Sequence, residues 1–505
     1  MIMWLPKGSG GAKHSVSSPA RAGLIVGLVL STAAMTPRGA SSAPVAPLPD
    51  RADAAAAAPA RDGRYTLSLK HKAAIPAFAR KYSLACSACH TTWPELNNFG
   101  QVFKDNGYQL MNEKDSPIQQ SNSYWPIAVR TTPQWHMETT TNQPIDNVAG
   151  DPLAGQHAGT VTQQGFDLSG IDFLMMGTLY KNISFQLVTT LDPDGSAGIE
   201  AANVRFDNIS NNSWFNVKMG KFELDNMISE KRGEFLSNNG GMYQNYHYQP
   251  LSSTVAFGLG DNQLGLELMG HNKNSYTRYT LALLSTTDGT PGFPAGTGKG
   301  MDVMFTLSQA WAVQSLGLMR VGVFGVLGKS STASPTSGGE PIPGMANGDK
   351  SFTRFGVNAN LTFGDFEVLP YYMIASNDKA LTDGTPTQNA KWNSAVVEAH
   401  YVVNPRLMFM GKWQSVKMTD QYDPGTPSTQ GNIDGLALGL RSYFFMFSRD
   451  GLALHVEYAY TNSVGIFPLS EDGLGDPGTS LPNPPLTEAT TVKSSSLLIA
   501  LDFAF

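Results

Sequence analysis

The sequence predicts an all-β fold, a 16-stranded antiparallel transmembrane β-barrel carrying a small helical segment on its N-terminal side. Three observations predict it. From Tyr124 onward apolar residues recur at every second position, the period of a strand with two different faces. The alternating runs extend to about ten residues, the length of a tilted membrane strand, whereas soluble strands stop near five or six. The connections alternate between short and long, as when tight turns lie on one side of a membrane and loops on the other.

Composition sets the outer bounds. The 505 residues carry a net charge of −6, with 15% charged residues, 10% aromatics, 51 Gly and 31 Pro. That balance fits neither a coiled coil nor a nucleic-acid binder. No apolar run of roughly 18 residues occurs beyond the N-terminus, which excludes a bundle of membrane helices.

Residues 1–43 read as an export signal. Lys7, Lys13 and Arg21 accompany the short apolar run Gly23 to Leu30, and small residues continue to Ala43. Residues 44–64 are an Ala/Pro-rich linker with the composition of a disordered tether. Residues 65–123 form the small helical segment. Pro94 suits a helix start, Leu96, Phe99 and Phe103 recur at helical spacing, and Gly107 stops the helix. Trp93 joins that apolar face as packing.

The centre of this segment is Cys86-Ser87-Ala88-Cys89-His90, and the chain has 2 cysteines in all. Cys-x-x-Cys-His is the attachment signature of a c-type haem. Two thioethers fix the porphyrin, and the adjacent imidazole reaches the iron, so His90 is the expected proximal ligand of one covalent haem c. A redox dithiol would need an α/β context, a zinc site a second ligand pair, and a plain disulfide nothing further. The first two companions are not evident. A segment this short cannot bury a porphyrin alone, so a wall must come from the rest of the chain. Met111 is the candidate distal ligand, a thioether that would raise the potential. His71, His136 and Met137 are its rivals. His400 and His455 face the lumen beside a Glu two positions away, and are expected to line it.

The runs Ile75 to Tyr82, Cys86 to His90 and Pro94 to Tyr108 together resemble the N-terminal segment of the fused outer-membrane cytochrome–porin family. Its best-known members are iron-oxidising outer-membrane c-type cytochromes. The likeness is close over these runs and only architectural beyond them. It implies one haem docked in a β-barrel and electrons crossing the outer membrane.

The barrel is assigned to residues 124–505. Its last strand sets Leu497, Ile499, Leu501, Phe503 and Phe505 against Ser496, Leu498, Ala500, Asp502 and Ala504. A terminal aromatic resembles the assembly signal of outer-membrane proteins. Strands are expected to begin near residues 125, 167, 183, 201, 214, 258, 274, 299, 318, 352, 365, 391, 406, 433, 451 and 494. Long outer loops are expected at 141–165, 192–200, 224–256, 286–298, 330–350, 377–390, 418–431 and 462–492. Asp192, Asp194, Asp225, Asp420 and Asp423 would lie in them, hard oxygen donors for a passing ferrous ion. The even strand count places the helical segment at the periplasmic mouth of a wide lumen.

Three functions fit this reading. One is electron transfer from extracellular Fe(II), or another redox substrate, through the haem to a periplasmic c-type cytochrome or other carrier: an Fe(II):cytochrome c oxidoreductase. The second is the reverse flow to an extracellular acceptor. The third is a diffusion porin whose haem segment is a plug or redox sensor. The expected partners include outer-membrane lipid and no nucleic acid.

Overall fold

On the last strand the alternation becomes the two faces of a wall. In the computed structural model Ser494, Ser496, Leu498, Ala500 and Asp502 are buried on the inside, while Ile499 and Leu501 are exposed on the outside. The structure describes residues 77–82, 84–92, 94–110, 127–145, 157–250, 257–285, 301–314, 316–329, 336–337, 340–341, 351–381, 388–420, 429–446, 451–466 and 490–505. The expected signal and linker lie outside these residues, as do His71, Trp93, Met111 and Asp423.

Sixteen strands close the barrel. They are β1 (Ile127–Ile145), β2 (His157–Tyr180), β3 (Ile183–Leu191), β4 (Ala197–Phe206), β5 (Asn216–Glu223), β6 (Asn262–His271), β7 (Thr277–Leu284) and β8 (Asp302–Val313). They continue with β9 (Gly317–Lys329), β10 (Ser351–Phe363), β11 (Phe366–Leu381), β12 (Gln388–Asn404), β13 (Leu407–Asp420), β14 (Ile433–Met446), β15 (Gly451–Val464) and β16 (Thr491–Ala504). Each strand pairs antiparallel with its sequence neighbours, and β1 meets β16 in the register Arg130↔Ala504 to Thr140↔Ser494. Closure satisfies the edges that an open sheet would leave bare.

The outer face is apolar. Phe305, Leu307, Val323, Val357, Ile374 and Leu438 are exposed there. Near the short turns Phe206, Trp214, Phe363, Phe366, Phe444 and Phe505 form an aromatic rim, with Trp214 stacked on Tyr279 at 6.3 Å. An apolar band with an aromatic rim around a closed antiparallel barrel is the build of a protein of the bacterial outer membrane.

Two expected loops differ. The β3–β4 connection is a tight hairpin, Asp192 to Ser196, closed by Asp192 N–H donating to Ser196 O at 2.9 Å. Gly195 takes a φ of 86° that its missing side chain permits. Of the stretch expected as an outer loop at 224–256, residues 224–250 instead fold into the lumen. Leu224, Ile228, Met242, Tyr246 and Tyr248 pack there against Phe222, Leu284, Met304, Phe352, Met373, Trp392 and Ile433 of the wall. Its apolar residues have no partner in water, and the barrel interior supplies one. The lumen is therefore packed, not open throughout. β1 and β2 also run further than expected, leaving a shorter connection than 141–165.

Candidate functional site

The helical segment contains α1 (Ala77–Tyr82), α2 (Cys86–Cys89) and α3 (Asn98–Asp105). α2 is a single turn, closed by His90 N–H donating to Cys86 O at 3.0 Å. The turn sets residues 86 and 89 three positions apart on one helical side, and Cys86 and His90 line the same cavity. α3 starts at Asn98, not at Pro94, because the Asn97 side chain caps it by accepting from Gly100 N–H at 3.0 Å. The same Asn97 amide donates to Ala88 O at 3.1 Å and so holds the motif turn. A Cβ on Gly100 would run into the Cys89 carbonyl, so only glycine lets α3 approach that closely. Gly107, at φ 77°, ends the helix as expected. Phe103 packs edge-on against Phe78 and Tyr82, at 4.9 and 5.5 Å between ring centroids.

His90 has its tautomer set. Its Nδ1 lies 3.1 Å from the carbonyl oxygens of both Pro94 and Glu95, which only accept, so Nδ1 carries the proton. Nε2 is left with its lone pair, the form that binds metal. Burial holds the His90 imidazole down, at about 4, so it is neutral near neutral pH. Burial pushes the Cys89 thiol up to about 12, and the neighbouring Cys86 adds to this. A redox dithiol wants the opposite, a depressed thiol. The two sulfurs are not joined to each other.

Cys86 and His90 face a cavity of 1170 Å³ that also includes Arg232, Met242, Glu367 and His400. That volume is ample for a cofactor, whose sites run to about 1,000 Å³. The donor set and the space both fit a covalent haem. The cavity's thioethers among the described residues are Met227 and Met242, both on the in-folded loop. Sequence reading missed them because that loop was placed outside. His136 is buried on β1 and does not line the cavity, and Met137 takes the alternate, outward register. His455 keeps to the wall, with Nε2 2.9 Å from Glu457. Asp192 and Asp194 are exposed and bond Ser196, while Asp420 pairs with Lys391 at 3.1 Å.

Asp225 is not in an outer loop. It is buried in the lumen, where Arg278 of β7 donates to it at 2.7 Å and to Asp105 of α3 at 2.8 and 3.1 Å. One guanidinium thus ties the wall, the in-folded loop and the helical segment together. Burial pushes the Asp105 carboxyl up, but the Arg278 charge outweighs it, and the group sits well below the usual carboxylate range. Thr178 donates to Gly107 O at 3.3 Å, Asn208 to Asn106 at 3.1 Å, and Thr92 to Glu234 at 2.6 Å. Arg205 bonds both Asp207 and the Asp105 carbonyl. These partners sit near the short turns, so the segment docks at that mouth.

No family model matches the chain, and no curated protein matches it. Solved structures similar to it include the anion-selective porin from Comamonas acidovorans, with 10% identity, TM-score 0.47 and coverage of 75% of this chain and 99% of that one. The outer membrane channel DcaP of Acinetobacter baumannii has 10% identity and TM-score 0.46 over 75% and 97% of the two chains. A loop L8 deletion mutant of OmpT from Vibrio cholerae has 13% identity and TM-score 0.42 over 75% and 100%. The fold assignment rests on the strand pairing, not on these likenesses. Pairing and site together define a porin-like outer-membrane β-barrel with a Cys-x-x-Cys-His segment seated in its lumen.

Proposed function

We propose that the protein holds one covalent haem c at the short-turn mouth of the barrel and carries electrons across the outer membrane. Extracellular Fe(II) is the electron source in this reading, and a periplasmic c-type cytochrome or similar carrier is the receiver. The observation that carries it is His90, with its Nδ1 proton committed to two carbonyls beside a cofactor-sized cavity. The resemblance of residues 75–108 to the cytochrome–porin family supports it further.

Cys86 and Cys89 would hold the porphyrin and His90 its iron. The bound group supplies a one-electron couple that no side chain here provides. The chain does the rest. Pro94 and Glu95 orient the imidazole and raise its basicity. Asn97 and Gly100 keep the motif turn pressed on α3. The in-folded loop and the wall limit water around the site. Anaerobic mixing of the purified protein with Fe(II) tests the reading. Reduced-haem absorption bands are expected. A coloured protein that Fe(II) does not reduce removes the iron donor, and a strongly negative potential reverses the flow. A colourless mature protein ends the haem reading.

A second reading, a diffusion porin plugged by this segment, is favoured by the charged lining of the short-turn half. Arg205, Arg278, Arg320, Glu367 and Asp502 are all buried on that lining. Planar-bilayer conductance with and without residues 65–111 separates the two. Little current is expected while the segment is in place.

A further inference from the structure

Glu95, Glu367 and His400 converge in the lumen, with one donor atom from each lying within 4.8 Å of the others. Their approach comes from three separate elements: the loop before α3, the start of β11 and the end of β12. His400 is 2% exposed and Glu367 7%. His400 Nε2 lies 2.7 Å from Glu398 Oε1. With Nε2 donating to that oxygen, the Nδ1 lone pair points the other way. It points at Glu95 Oε2, 3.4 Å away, and Glu367 Oε2, 3.5 Å away. All three atoms are buried without a hydrogen-bond partner.

Three acceptors facing one another need a positive charge between them. A proton on Nδ1 would draw at least one carboxylate to about 2.8 Å, the usual length of a charge-assisted hydrogen bond. The observed spacing is longer. It matches the edge of a tetrahedron with bonds of about 2.1 Å, the length of nitrogen and oxygen bonds to zinc-sized dications. The Glu398–His400 pair is also the carboxylate–imidazole arrangement that orients metal-bound histidines. Glu234 and Glu398 line the same cavity.

We propose that Glu95, Glu367 and His400 bind a divalent first-row transition-metal ion. Mixed carboxylate and imidazole donors suit Fe(II), Mn(II) or Zn(II) better than Ca(II) or Cu(I). The site shares a cavity with Cys86 and His90, and Glu95 serves both: its carbonyl orients His90 while its carboxylate faces His400. A ferrous ion held there would stand beside the electron acceptor, and that consequence alone rests on the haem reading.

The test is Mn(II) titration of the full-length, detergent-solubilised protein, read by loss of the free-ion EPR signal at room temperature. One tight equivalent is expected, displaced by Fe(II) under anaerobic conditions. Glu367→Gln and His400→Gln should each weaken binding at least about tenfold. Heat-modifiable electrophoretic mobility reports that each barrel is folded, and Glu95→Gln, off the wall, repeats the test without touching a strand. Absence of a tight equivalent, or wild-type affinity in folded Glu95→Gln and His400→Gln, overturns the site. Binding is read whether or not haem is attached, so failure here is separate from failure of the electron-transfer reading.

Discussion

The two halves of the lumen are built from opposite materials. Toward the short turns the inward positions carry charge. Arg278 holds Asp105 and Asp225, Arg441 and Arg130 hold Asp502, and Lys218 holds Glu267 at 2.6 Å. Toward the long loops the inward positions are apolar, with Phe222, Leu284, Met304, Phe352, Trp392 and Ile433 packed around the in-folded loop. The same strands pass through both halves, so the difference lies in register position alone. It assigns the halves different work. The apolar half narrows the lumen, because its inward side chains pack around the in-folded loop. The charged half grips the helical segment and keeps a cavity beside the Cys-x-x-Cys-His turn.

Each prediction presses on that contrast. The largest effect is all or none. Replacing both Cys86 and Cys89 by Ala should leave a folded, heat-modifiable barrel with no haem-stained band after denaturing electrophoresis. A stained band that persists breaks the link between the charged half and the cofactor. Next, Arg278→Met leaves Asp105 buried without its guanidinium and Asp225 with only Lys104, 3.9 Å away, at about 3–5 kcal/mol. The segment should loosen, and bilayer conductance should rise. Wild-type conductance in this variant would mean that the apolar half seals unaided. Leu284→Ala, at a fully buried position in the apolar half, should cost about 3 kcal/mol in denaturant unfolding. The haem spectrum should not change, since Leu284 does not line the cavity.

Gly100→Ala is smaller, about 1–3 kcal/mol of crowding against the Cys89 carbonyl. Its signature is a lower yield of attached haem with normal barrel mobility. The smallest effect is that of pH. The Asp105 carboxyl lies below its unfolded value, so its contribution to docking is complete above about pH 4 and is lost only as pH falls through the lower folded value. Conductance should therefore hold steady from about pH 7 to about pH 5. Release within that window would place control on another group.

Much of this was legible in residue order. Period two along β16 and β15, the short turns at Lys181-Asn182 and Gly364-Asp365, and the spacing of Cys86, Cys89 and His90 are local signals. Strand pairing between chain neighbours turns such local signals directly into a barrel. The start of α3 was misjudged at Pro94 because Asn97 caps through a bond visible only in space. The loop at 224–256 was misplaced for a deeper reason. An apolar segment between two strands looks the same whether it ends in solvent or folds inward, and what decides is the space available inside a closed wall. The meeting of Glu95 with Glu367 and His400 is of the same kind. Sequence set each residue's type and which face of the sheet it takes. Only closure of the barrel around the helical segment brought residues hundreds of positions apart to within a few ångströms, because contacts across a lumen leave no trace in the local period.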